Sequence, residues 1–152
     1  MASYNTMVDL AGVRFLLFRV GDVTCAIAAG SVVEILPASP VTRIPGTPSG
    51  VLGMINVRGQ LVTLVDGGRV TGDGVGRDHQ SVVLLEADGR SIGLGVTEVL
   101  DLVPVLQEDI AEREDLTGMD SRFVRGVARC GGDTCVVVDA EALLNWVLPR
   151  GE

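Results

Sequence analysis

Apolar and polar positions alternate with period two over much of the chain, the pattern of half-buried strands rather than of helices. The alternation is clearest at Val23, Cys25 and Ile27. Residues 14–20 and 23–28 predict two short strands separated by Gly21-Asp22, a pair suited to a tight II′ hairpin. Further on, residues 81–86 and 91–96 flank Asp88-Gly89, a favoured I′ pair. The likeness between the two regions continues: Val32-Val-Glu-Ile-Leu36 follows the first hairpin and Val96-Thr-Glu-Val-Leu100 follows the second. Residues 53–66 are echoed in turn by 126–139, so the two halves read as one plan used twice. Each half supplies about five short strands: a hairpin, a Val-x-Glu strand and a second hairpin. Five short strands with regular turns suit a small closed barrel, which removes the edges that an open sheet would expose.

The expected organisation is a tail at 1–12 and one domain over 13–152, holding two barrels at roughly 13–68 and 79–139. Residues 67–76 carry five glycines in ten positions and predict a flexible connector at 67–78. The acidic stretch 107–118 reads as a short helix or a solvated loop. Asp139 is placed to cap a C-terminal helix over 140–147 that packs through Leu143, Leu144 and Val147, with Pro149 beyond its end.

Composition sharpens this picture. The chain contains 25 valines and only 3% aromatic residues, a β-branched content that favours pleated strands and an all-β fold. All 12 basic residues are arginine, so the lysine of a P-loop, of a pyridoxal Schiff base or of a protein kinase is absent. A net charge of −8 opposes binding to nucleic acid or to anionic lipid. Mean hydropathy is +0.39, yet apolar runs such as 82–85 fall far short of the ~18 residues that span a bilayer. No basic and apolar leader opens the chain, which predicts a cytosolic protein without membrane insertion.

The candidate chemistry is sparse. The glycine run is not G-x-G-x-x-G and carries Asp73, so it predicts no phosphate site, and neither a cofactor nor a metal is expected. An odd set of three cysteines, Cys25, Cys130 and Cys135, reads as buried thiols. Cys130 and Cys135 face each other across a predicted hairpin at a spacing compatible with a metal or a reversible disulfide, but no second pair completes a tetrahedral site. Cys25 with His79, the only histidine, is the one available nucleophile and base. A small thiol enzyme or redox sensor using Cys25 or Cys130/Cys135 is therefore the alternative to a non-catalytic protein.

One segment concentrates unusual choices: Val41-Thr-Arg-Ile-Pro45, Pro48, and Gly53-Met-Ile-Asn-Val-Arg-Gly59. Asn56 can bond the backbone of its own turn, and Arg58 at the turn can reach a carboxylate such as Glu34 in a bidentate pair. Together with Glu34-Ile35, Glu98-Val-Leu100, Val124-Arg-Gly-Val127, Val136-Val-Val-Asp139 and Glu141-Ala-Leu-Leu144, these motifs resemble the CheW-like chemotaxis coupling domain over about residues 14–147. The resemblance implies two five-stranded SH3-like barrels packed together. It also implies a cytoplasmic adaptor without catalysis, which attaches a histidine autokinase to the tips of chemoreceptor coiled coils at arrays on the inner face of the membrane. In such proteins the helical-hairpin tip docks between the barrels and the kinase's homologous regulatory domain packs end to end against one of them. Carried over by motif, Val32, Glu34, Ile35, Asn56 and Arg58 face partners, Val32 and Ile35 forming an apolar floor, while Gly53 and Gly59 fix turns. The chain departs from the family where Asp-Leu-Arg is usual: Asp66-Gly-Gly-Arg69 stands there instead, which predicts a looser exit from the first barrel.

Overall fold

A computed structural model describes residues 13–72, 79–112, 118–130 and 132–149. The predicted tail 1–12 and the part of the connector at 73–78 lie outside them. Among the described residues there are ten strands: β1 (Val13–Val20), β2 (Val23–Ala28), β3 (Val32–Pro37), β4 (Val51–Val57), β5 (Gln60–Asp66), β6 (Ser81–Ala87), β7 (Arg90–Val96), β8 (Glu98–Val105), β9 (Val124–Cys130) and β10 (Asp133–Val138). A short helix α1 (Gly68–Thr71) follows β5, and α2 (Ala140–Val147) ends the fold. The hairpin turns form as their residues require. Gly21 alone is left-handed in the first turn (φ +59), whereas Asp88 and Gly89 both are in the second (φ +54 and +76).

The strands form two five-stranded sheets, in the orders β8-β1-β2-β10-β9 and β3-β6-β7-β5-β4. Matching β1–β5 to β6–β10 one for one converts the first order into the second, so the duplication seen in the sequence is real in space. The barrels are nevertheless not consecutive, and the expected division at 13–68 and 79–139 is corrected: each sheet takes a hairpin from one half and three strands from the other. β3 leaves its own half to pair antiparallel with β6, and β8 returns to pair with β1. Parallel pairings complete the exchange, β2 with β10 and β5 with β7. Pattern along the chain fixes which face of a strand is buried and carries no record of which repeat a crossover strand joins.

This exchange explains the apolar runs that do not alternate. Leu84 and Val82 on β6 enter a cluster inside one barrel with Ile55, Val62 and Leu64. Their neighbours Val83 and Leu85 enter a larger cluster between the sheets. On β10, Cys135 and Val137 line the other barrel with Phe15 and Leu17, while Val136 and Val138 face the central layer. Strands buried on both faces have no solvent side and so need no polar positions.

Each barrel closes with the same device. In one, Thr42 exchanges two backbone hydrogen bonds of 2.8 Å with Met54; in the other, Ala111 and Val127 do the same at 2.8 and 2.9 Å. In both cases a segment following one edge strand crosses to the opposite edge. A glycine precedes each crossing point on its strand. Gly53 has φ +146, and a Cβ there would lie 2.3 Å from the Thr42 carbonyl oxygen; Gly126 has φ +157 and a Cβ 2.4 Å from that of Ala111. Gly53 therefore serves a close backbone approach inside β4 and not a turn, while Gly59 (φ +86) does occupy the turn expected of it.

The exit after Asp66 is packed rather than loose. Val70 and Thr71 of α1 are buried, and the Asp66 carboxylate accepts a hydrogen bond of 2.8 Å from the Gly68 N–H. Arg69 donates to Asp120 at 2.6 Å and stacks over Phe123 and Trp146, 5.2 and 5.0 Å from their ring centroids. The acidic stretch supplies a 3-10 turn, Gln107–Asp109, and its residues 113–117 are outside the described set. Helix α2 is capped as expected, the Asp139 carboxylate accepting from the Ala142 N–H at 3.0 Å, an arrangement that contributes about 1 kcal/mol. Leu143 and Leu144 enter the central layer, with Val147 half-buried against it.

Candidate partner-docking surface

The β4–β5 hairpin presents its turn to solvent. Arg58 and Gly59 both take positive φ (+49 and +86), the conformation of a two-residue I′ turn. An arginine adopts that conformation less readily than glycine or asparagine, and the turn is held by Asn56, whose Oδ1 accepts from the Gly59 N–H at 2.8 Å. Asn56 thus acts within its own turn, as its sequence position suggests, with its side chain at an exposed site.

Arg58 is 68% exposed, and its Nη2 donates to Oε1 of Glu34 on β3. One nitrogen and one oxygen make the contact, so the pair is single-pronged and not the bidentate fork expected. β3 and β4 are the two edges of their sheet, so the pair ties one edge to the turn beside the other. The hydrogen bond from Arg58 holds the Glu34 carboxyl below its ordinary value of 4.5, and Arg58 in return is held more firmly charged. A carboxylate lowered in the fold favours the folded state above its unfolded pKa. The contribution is present at neutral pH and lost as the pH falls through the lowered value. At such exposure it is small, which leaves the pair's geometry free to serve recognition.

The five expected partner-facing residues do not form one face. Val32 is half-buried against the central layer, whereas Ile35 is 44% exposed. A bulge at Val33 resets the alternation: Val32 pairs with Leu85 and Ile35 with Val83, so these two share a face of β3, while Glu34, opposite Leu84, points the other way and Val33 is 55% exposed at the bulge. Leu61, 67% exposed and directly opposite Asn56 in the β4–β5 register, adds a third aliphatic. Val33, Ile35 and Leu61 are thus the exposed aliphatics on the two elements that the Glu34–Arg58 pair joins, β3 and the β4–β5 hairpin, and the bulge that exposes Val33 has no signal in the alternation of β3. The equivalent edge strand β8 carries a matching exposed pair, Leu100 and Leu102.

The described residues contain no grouping of three or more metal-ligating side chains. Cys25 is fully buried on β2; its Sγ lies 3.9 Å from the Val23 carbonyl oxygen, and burial pushes its pKa up to about 12. Such a thiol stays protonated and shielded, unlike a nucleophile. Cys130 and Cys135 are joined in a disulfide across the β9–β10 hairpin, which corrects the expectation of three buried thiols. In the folded protein, Cys25 is expected to be alkylated by a soluble reagent no faster than the chain unfolds, a rate readable by mass spectrometry.

The family model described as CheW-like domain matches residues 14–148. The chain belongs to the CheW-like family. The chemotaxis protein CheW of Klebsiella aerogenes is 30% identical over 152 residues, covering 95% of this chain and 92% of that one. The chemotaxis protein CheW of Rhizobium meliloti is 29% identical over 135 residues, with 87% of each chain covered. Among solved structures, the scaffolding protein TtCheW from Thermoanaerobacter tengcongensis superposes with a TM-score of 0.76 at 24% identity, over 91% of this chain and 90% of its own. Its CheW fold matches the two SH3-like barrels described above. As a CheW-like protein the chain is a non-catalytic chemotaxis coupling adaptor, and the thiol-enzyme reading is set aside. No helix among the described residues is long and apolar enough to cross a membrane.

Proposed function

We propose that this CheW-like chain couples a chemoreceptor's helical-hairpin tip to the regulatory domain of a histidine autokinase, at receptor arrays on the cytoplasmic face of the membrane. The observation that carries the reading is the Glu34–Arg58 pair, which ties the edge strand β3 to the β4–β5 turn, together with the exposed aliphatics Val33, Ile35 and Leu61 on those same elements. Exposed aliphatics beside an oriented charge pair are what a partner surface needs, the aliphatics for buried area and the pair for register. A coupling protein also needs two separate surfaces. The exposed aliphatics on β8, at the edge of the other barrel, support a second one.

The test is Arg58→Glu. The variant is expected to keep the parent's circular dichroism and unfolding midpoint, because Arg58 is exposed and a solvent-screened ion pair contributes little to stability. Its co-sedimentation with receptor-bearing membranes and kinase should fall at least about tenfold, the effect of placing two carboxylates where one pair stood. Unchanged co-sedimentation, or an unfolded variant, would remove Arg58 from the docking surface.

A further inference from the structure

The segment between β3 and β4 holds the Val41-Thr-Arg-Ile-Pro45 motif, and neither the Glu34–Arg58 surface nor the core accounts for its arginine. Among the described residues, Arg43 is the arginine to which the structure gives no polar or charged partner. Its chain neighbours hold it in place: Thr42 is bridged on both sides to Met54, while Pro40 and Pro45 fix the backbone around it. Arg43 is exposed and lines a cavity of about 540 Å³ whose walls are mainly the apolar Ala38, Pro40, Val41 and Leu52, with Ser39 and His79 as the other polar members. On its other side, Arg43 and Leu52 also line a smaller cavity of about 260 Å³ with Ile44, which is 40% exposed.

We propose that this double cleft is a docking site for a peptide segment of a partner protein in which an acidic side chain neighbours an aliphatic one. Apolar walls accept the aliphatic group, and the unpartnered guanidinium at the rim takes the carboxylate. Charge selects the occupant. The chain carries a net charge of −8, so an acidic partner is repelled by most of its surface and attracted where a cation stands without a counter-ion. The site is also pre-organised, since the bridge at Thr42 and the flanking prolines have already removed the backbone freedom that binding would otherwise cost. It lies apart from Arg58: Leu52 and Arg58 are six residues apart along β4 and its turn, about 20 Å at ~3.3 Å per residue. The inference therefore does not depend on the role proposed for Arg58.

The test is titration of the full, isotope-labelled chain with a synthetic peptide carrying a Glu-Leu-Glu-Leu core, followed by amide chemical shifts. Shifts are expected to cluster in residues 38–52, and Arg43→Glu should weaken binding at least about tenfold. Exchanging the peptide's glutamates for lysine should restore binding to Arg43→Glu and abolish it for the parent chain. Ile44→Ser, at an exposed position, should weaken binding without altering the fold, and Arg58→Glu should leave the peptide affinity unchanged. Equal binding to parent and Arg43→Glu, shifts centred elsewhere, or no shifts at millimolar peptide would overturn the proposal. Loss of binding in Arg58→Glu would show that the two surfaces are one.

Discussion

Gly126→Ala is expected to lower folding stability by about 2–5 kcal/mol, the sum of left-handed backbone strain of ~1–2 and the ~1–3 that follows from forcing atoms into a packed site. The new Cβ would be placed 2.4 Å from the Ala111 carbonyl oxygen, on the backbone that closes the barrel, so no side chain can move aside to relieve it. Gly53→Ala should cost a similar amount, because its Cβ would meet the Thr42 carbonyl in the equivalent place in the other barrel. Gly59→Ala is the control: its φ is +86, but no heavy atom lies within 4 Å of the added methyl, so only the turn strain of about 1–2 kcal/mol applies. Urea unfolding of the three variants would separate the two causes. Equal losses at positions 53, 59 and 126 would mean that backbone conformation alone matters and that the crossing segments can shift away.

These two glycines show where the sequence was readable and where it was not. Their correspondence is visible in the chain, since residues 53–66 and 126–139 align residue for residue. What each glycine does is invisible there, because the atom it avoids belongs to a segment about ten or fifteen residues distant in sequence. The same limit applies to Asp66-Gly-Gly-Arg69, which reads as a loose exit until Asp120, Phe123 and Trp146 are seen to hold Arg69. Local features fared better. The hairpin turns, the Asp139 cap and the Asn56 bond to its own turn depend on residues two to four positions apart, which a single sequence displays. The Glu34–Arg58 contact was expected from motif context, whereas the bulge at Val33, which puts Val32 and Ile35 on one face of β3 and Glu34 on the other, leaves no mark in the sequence pattern.

The exchange of strands between halves makes a sharper forecast than any single substitution. If the barrels were consecutive, a fragment of residues 1–78 would contain one of them complete and would fold alone. In the observed order it does not: its β1–β2 hairpin lacks β8 and β10, its β3 lacks β6, and its β5 lacks β7. Isolated hairpins and unpaired edges of this kind have little stability in water. Fragments 1–78 and 79–152, prepared separately, are each expected to lack a folded monomer, with poorly dispersed amide spectra and no cooperative melt. Mixed together, they should recover a β-type circular dichroism spectrum as a one-to-one complex, because every missing partner of one fragment is present in the other. Mass measurement completes the test. A homodimer of one fragment would preserve the exchange, since the two repeats are equivalent strand for strand and a second copy could supply the missing partners. A folded monomer of either fragment would contradict it, and with it the reading of the central apolar layer as a surface that neither half can bury by itself.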